Sequence, residues 1–225
     1  MKDILFRCSA IGDIMTEPRS KSEEFSKTAQ KRAIEAYIIA RYDRYPKDIT
    51  SDAIKKGLMV EDDAIDILAR VDQKLYLKNE QRFSNDFITG TPDIIAHDVV
   101  DIKSSWDIFT YFGSKFDYEK SYEWQLQGYM ALTGKTSARL AYVLCDTPEP
   151  IIESMKRKAW YDLGSPFDDT VSGKIGTEIE RNAKYDLSDA ERVHIHHFAY
   201  DNDAIERVYQ RVADLRLWLG RTFNH

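Results

Sequence analysis

Asp93, Asp101 and Lys103 stand in the stretch Gly90-Thr91-Pro92-Asp93-Ile94-Ile95-Ala96-His97-Asp98-Val99-Val100-Asp101-Ile102-Lys103. The apolar residues on either side of Ala96-His97-Asp98 predict two short strands joined by a tight turn. With those three residues in the turn, Ile95 faces Val99, Ile94 faces Val100 and Asp93 faces Asp101. Carboxylates directly opposite on neighbouring strands have Cβ atoms only about 5 Å apart and repel one another. A fold keeps that arrangement only if something cationic sits between them. Strand side chains alternate, so Lys103 emerges on the face of Asp101. Two carboxylates and an ammonium suit a hard, oxygen-ligated divalent ion such as Mg²⁺ beside an anionic substrate. A surface hairpin with a solvated Asp–Lys pair has the same spacing, so other elements must discriminate.

A helix predicted over 58–78 supplies one of them. At about 100° per residue, Ala64, Ile65, Leu68, Val71 and Leu75 form an apolar stripe, and Glu61 falls near its middle. Asp62, Asp63, Asp66 and Arg70 lie on the opposite side. A core-facing carboxylate is costly unless it is paired or bound to metal, which makes Glu61 a candidate. A first-turn Glu favoured by the helix dipole is the plainer explanation. A second helix, predicted over 121–133, carries Tyr122, Gln125, Tyr129 and Leu132 on one face. An amide flanked by two phenols there is either a satisfied core group or part of a binding site.

Pro92-Asp93 followed by Asp101-Ile102-Lys103 resembles the signature of the PD-(D/E)xK nuclease superfamily. Five places, in order, resemble the lambda-type (YqaJ-like) phage exonucleases within it, with Asp101-Ile102-Lys103 standing where the family has Glu-x-Lys. Ser9 to Ser20 looks like the family's Ser-led helix and Pro-Arg-Ser turn, and Gly57 to Ala64 like its Gly-x-x-x-Glu-x-x-Ala helix. Thr91-Pro92-Asp93 stands where the family has Ser-Pro-Asp, and Tyr122 to Gln127 looks like its Tyr-x-x-Gln-x-Gln helix. The match covers roughly the first 145 residues.

The resemblance implies an α/β/α core with a small central mixed sheet flanked by helices. It implies metal ligation by Asp93, Asp101 and the Ile102 carbonyl, with Glu61 in support and Lys103 catalytic. It also implies a 5′-phosphate pocket on Ser9, Thr91 and Gln125, with Arg19 close by and Tyr129 on the same helix face. Two Mg²⁺ or Mn²⁺ ions, double-stranded DNA ends as substrate, ATP-independent 5′-to-3′ digestion, a ring-like homotrimer and a single-strand-annealing partner belong to the same expectation. Asp101 is shorter than the family's usual Glu, and only Lys2 or Arg7 can stand in for an arginine expected upstream of Ser9. A structure-specific endonuclease or resolvase of the superfamily, or a noncatalytic DNA-binding module, would fit many of the same residues.

The 225 residues suffice for one domain with a substantial core, and no linker, repeat or low-complexity tract divides them. The net charge of −6 argues against a general nucleic-acid coat. Lys156-Arg157-Lys158, Lys31-Arg32, and Arg19 with Lys21 are local basic patches that equally suit solvated helix faces. Cys8 and Cys145 are too few for an iron–sulfur cluster, which counts against the cluster-bearing branches of the superfamily. No apolar run approaches a membrane span and no signal-peptide core follows Met1, so a cytoplasmic phage or prophage protein is expected.

Further helices are predicted over 22–44, 148–162, 167–182 and 202–219, and strands over 82–89, 91–95, 99–105, 138–145 and 192–200. Asp201-Asn202-Asp203 caps the last helix, and Ile205, Val208, Val212 and Leu215 form its stripe. Gly134-Lys135-Thr136 follows a helix and precedes a strand, the reverse of a P-loop, and reads as a helix C-cap. His194, His196 and His197 lack a fourth metal ligand in view and read as structural.

Overall fold

The computed structural model describes residues 1, 3–47, 51–162 and 169–223. Lys2 and the first two residues of the helix predicted over 167–182 lie outside that set. The hairpin around Ala96-His97-Asp98 forms in the predicted register. Strands β4 (Ile94–Ile95) and β5 (Val99–Ser104) pair antiparallel, with Ile94 opposite Val100 and Ile95 opposite Val99. The turn closes through a 2.9 Å bond from the Ala96 N–H to the Asp98 carbonyl.

β5 also pairs parallel with β6 (Ser137–Val143), which pairs antiparallel with β7 (Val193–Ala199). The result is a mixed sheet in the order β4-β5-β6-β7. The parallel pair requires a crossover, made by α5 (Ile108–Gly113) and α6 (Lys120–Thr133). Side-chain alternation splits the core in two. Val100, Ile102, Ala141 and Val143 pack with Ala64, Ile65 and Leu68 of α4 (Glu61–Asp72) on one face. Val99, Leu140 and Tyr142 pack with Leu126 and Met130 of α6 and with Val208, Val212 and Leu215 of α9 (Asn202–Phe223) on the other. This is the expected α/β/α layering. A smaller sheet joins β1 (Phe6–Arg7), β2 (Phe83–Ser84) and β3 (Ile88–Gly90) in the order β1-β3-β2.

Several expectations are corrected. The helix predicted over 58–78 is two helices, α3 (Asp52–Met59) and α4, because Val60 leaves helical geometry at φ −107°, ψ 11° with its side chain 1% exposed. α4 ends at Asp72, where Gln73 turns left-handed at φ 53°. Leu75 therefore falls beyond the helix and is exposed rather than completing the stripe. The strand predicted over 82–89 is β2 and β3, turned at Asn85, whose side-chain oxygen accepts the N–H groups of Phe87 and Ile88. The strand predicted over 91–95 starts only at Ile94, since Pro92 has no N–H for a ladder. The helix predicted over 22–44 is α2 (Lys27–Tyr42), begun by Ser26 accepting the Ala29 N–H. The Ser-led segment forms the short helix α1 (Ile11–Ile14), and β1 and α5 were not foreseen.

The remaining helices, α7 (Glu149–Asp162), α8 (Asp169–Ala183) and α9, match their predictions apart from shifted ends. Gly134, at φ 70°, caps α6 as a C-terminal turn residue. No helix among the described residues is long and apolar enough to cross a membrane.

Candidate active site

Alternation along β5 sends Asp101 and Lys103 toward α6 while Val100 and Ile102 fill the core under α4. Asp101 is 1% exposed, and Lys103 Nζ lies 2.7 Å from its Oδ2. Asp93, at the foot of β4, accepts the backbone N–H of Ile102 through Oδ2 at 2.7 Å. The three groups expected together are thus together. They line an open cleft of about 500 Å³ with Glu61, Ile102, Gln125 and Tyr129.

The electrostatics follow from burial and like charge. Desolvation, and then the neighbouring Asp101 carboxylate, push the Asp93 carboxyl up to about 7 against the opposing pull of the Ile102 N–H. Burial disfavours the Lys103 ammonium, but the Asp101 and Asp93 carboxylates outweigh it and hold Lys103 above the ordinary lysine range. Asp101 Oδ2 is buried and meets the Lys103 ammonium at 2.7 Å in an ion pair. Two carboxyl groups that repel one another, with one ammonium beside them, fit a hard divalent cation. Among the described residues, no three His, Cys, Asp or Glu side chains gather as a complete metal-binding group. The available donors are therefore Asp93, Asp101 and the backbone. Glu61, first residue of α4, lines the cleft with its Oε2 accepting from Lys78 Nζ at 2.8 Å.

The Tyr-x-x-Gln face of α6 meets this site directly. Gln125 Nε2 donates to Asp101 Oδ1 at 3.0 Å and to the Tyr129 hydroxyl at 2.9 Å. The Lys103 ammonium sits 4.6 Å from the centre of the Tyr122 ring. Close backbone approach brings the N-terminal Ser-led turn onto the same helix. A Cβ on Gly128 would lie 2.6 Å from Ile11 Cδ1, and one on Gly90 would lie 2.6 Å from the Tyr129 ring. Cys8 Sγ is 2.9 Å from both added positions, so Ser9 and Thr91 each directly follow a residue that flanks α6. Ser9 is nevertheless exposed, Thr91 half-buried and Arg19 exposed, and none of the three lines the cleft. Arg7, the described stand-in for the upstream arginine, is exposed on β1.

Three contributors escaped the sequence. Tyr142, level with Lys103 across the parallel β5–β6 pair, lines the cleft. Asn79 braces the Pro92–Asp93 bend from behind, donating from its side chain to the Pro92 carbonyl at 2.9 Å and from its backbone to the Asp93 carbonyl at 2.7 Å. Lys78 holds Glu61. None carries a local signal, because each acts through a contact between separate elements.

Several other candidates have partners away from the cleft. Lys156 is paired with Glu153 and Glu180, and Arg32 with Asp13 and Glu35. His194 Nε2 bonds Ser114 Oγ at 2.7 Å, and His196 Nε2 bonds the Ser114 carbonyl at 2.8 Å. Cys8 and Cys145 are free and buried.

Comparison with protein-family models and with curated proteins finds no match. Solved structures do match over nearly the whole chain. A phage-related exonuclease from Haemophilus somnus 129PT superposes with a TM-score of 0.77 at 23% identity, over 99% of this chain and 96% of that one. An alkaline exonuclease (LHK-Exo) from Laribacter hongkongensis gives a TM-score of 0.63 at 13% identity, over 98% and 90% of the two chains. The same enzyme in complex with dAMP gives 0.61 at 16% identity, over 98% and 94%. The chain thus shares the fold of these solved exonucleases, the fold expected from the motifs around Asp93 and Lys103.

Proposed function

We propose that this chain is a divalent-metal-dependent deoxyribonuclease, acting as one nuclease domain that digests a strand of duplex DNA from its 5′ end without ATP. The observation that carries this reading is the convergence of Asp93, Asp101 and Lys103 in one cleft, with the buried Asp101 Oδ2 2.7 Å from the Lys103 ammonium. The likeness to exonuclease structures, one of them holding dAMP, supports the substrate class.

Asp93, Asp101 and the Ile102 carbonyl would hold Mg²⁺ or Mn²⁺, with Glu61 supporting a second ion or its water shell. A bound ion of this kind polarises the scissile phosphate and lowers the pKa of an attacking water. Lys103, held by Asp101 and beside the Tyr122 ring, would offset charge that develops on the phosphate and orient the water. Ser9 and Thr91, with Arg19, remain the candidates for a 5′-phosphate contact. The products are 5′-mononucleotides and a 3′ single-stranded tail. A ring-like homotrimer around the duplex, a single-strand-annealing partner and action in the cytoplasm on phage or prophage DNA complete the reading.

The test is digestion of 5′-phosphorylated linear duplex against a closed circle, with and without Mg²⁺. Release of mononucleotides from the linear substrate alone, only with the metal, is expected. Cleavage of the circle would make the protein an endonuclease, and no cleavage of either would leave a noncatalytic binder.

A further inference from the structure

Gln125 was expected to contact substrate, yet its side chain is turned inward and only 7% exposed. Its carboxamide nitrogen donates to Asp101 Oδ1 at 3.0 Å and to the Tyr129 hydroxyl at 2.9 Å. A carboxamide has two N–H donors, and here both are engaged. A phosphate oxygen can only accept, so the remaining Gln125 Oε1 would face it acceptor to acceptor. Turning the amide over does not help. It would set Oε1 against Asp101 Oδ1, acceptor to acceptor, while Lys103 stays 2.7 Å from Oδ2.

The arrangement has a consequence for Asp101. With Oδ1 tied to Gln125, the carboxylate cannot swing about its terminal bond, and Oδ2 is held facing the Lys103 ammonium at 2.7 Å. Tyr122 covers Lys103 from the preceding turn of the same helix. Successive turns of α6 therefore hold the ammonium, the carboxylate and the amide that fixes the carboxylate.

We propose that Gln125 is a positioning residue for Asp101, itself oriented by Tyr129, and that it does not read a terminal phosphate. The proposal rests on the nuclease reading above only for its kinetic test; its metal-binding test stands apart. Outer groups that orient a metal ligand typically change affinity or activity by roughly 10- to 100-fold when removed.

The experiment compares wild type, Gln125→Ala, Tyr129→Phe and the double variant. Initial rates are measured on duplex with 5′-phosphate and with 5′-hydroxyl ends, and Mg²⁺ binding is measured by calorimetry without DNA. Gln125→Ala is expected to lower kcat by roughly tenfold or more, by the same factor on both ends, with KM little changed. Its Mg²⁺ affinity should fall in parallel. Tyr129→Phe should act in the same direction and more weakly. The double variant should lose no more than Gln125→Ala, because the hydroxyl acts through the amide. A loss confined to phosphorylated ends or to KM, or wild-type Mg²⁺ affinity in Gln125→Ala, would overturn the proposal. If Gln125→Ala fails to fold, Tyr129→Phe carries the same comparison alone. A wild type that cleaves neither end refutes the nuclease reading, and the calorimetry then decides the positioning role by itself.

Discussion

Asp93 Oδ2 accepts the backbone N–H of Ile102 at 2.7 Å, so one carboxylate of the motif is anchored to the residue between the other two members. This bond fixes the spacing of the site independently of long side chains. It also draws Asp93 toward Asp101 at the price of mutual repulsion, which burial amplifies.

Metal binding should therefore relieve strain already present in the folded protein. Thermal unfolding followed by fluorimetry should show millimolar Mg²⁺ raising the Tm of wild type. Asp101→Asn should unfold no earlier than wild type without metal and gain little from Mg²⁺. An equal Mg²⁺ shift in both proteins would place the ion elsewhere.

Lys103→Ala should remain folded, since its ammonium is only partly buried and the apolar faces of β5 are untouched. DNA cleavage should drop by about 10²–10⁴-fold, the range for a positioned group that handles the reacting water. Circular dichroism checks the fold, and release of acid-soluble nucleotides measures the loss. Near-normal digestion would remove Lys103 from the chemistry.

Arg139 on β6 should be a stability residue rather than a DNA contact. Its guanidinium meets Asp98 at 2.6 Å and Asp72 at 2.5 Å and also bonds the Tyr76 hydroxyl at 2.8 Å, tying the hairpin turn to the end of α4. Arg139→Met leaves a buried Asp98 without its partner, and removing one member of a buried pair typically costs about 3–5 kcal/mol. Urea unfolding measures the difference. A change under about 1 kcal/mol would mean the network behaves like an exposed pair.

Acid should destabilise the protein partly through His194. Burial first, then the neighbouring His196 and Lys115, hold the His194 imidazole down at about 4. An unfolded histidine titrates near 6.5, so between these values the unfolded chain binds more protons. The stability contributed by neutral His194 is complete above about pH 6.5 and declines as pH falls toward about 4. His194→Gln should flatten that decline by about 1–2 kcal/mol, read from denaturation at pH 7 and pH 4.5. Parallel curves for the two proteins would show that His194 is freely protonated when folded.

Residues 93–103 determined their own local geometry. A period of two and a three-residue turn require only adjacent strands, so the register of Ile94 with Val100 and of Ile95 with Val99 could be read directly. Ala64, Ile65 and Leu68 likewise declared the buried face of α4, and Asp201 the start of α9. Long-range contacts decided the rest. Val60 interrupts one predicted helix where its side chain is buried in the core, whereas the division of one predicted strand is local, Asn85 accepting the N–H groups of Phe87 and Ile88. The place of Tyr142 beside Lys103 depends on parallel pairing across a crossover, which no local pattern encodes. Gln125 shows the limit most directly. Its spacing from Tyr129 was legible, but the choice of Asp101 as its partner came from the packing of α6 against β5, where a buried amide bonds whatever acceptor the fold presents.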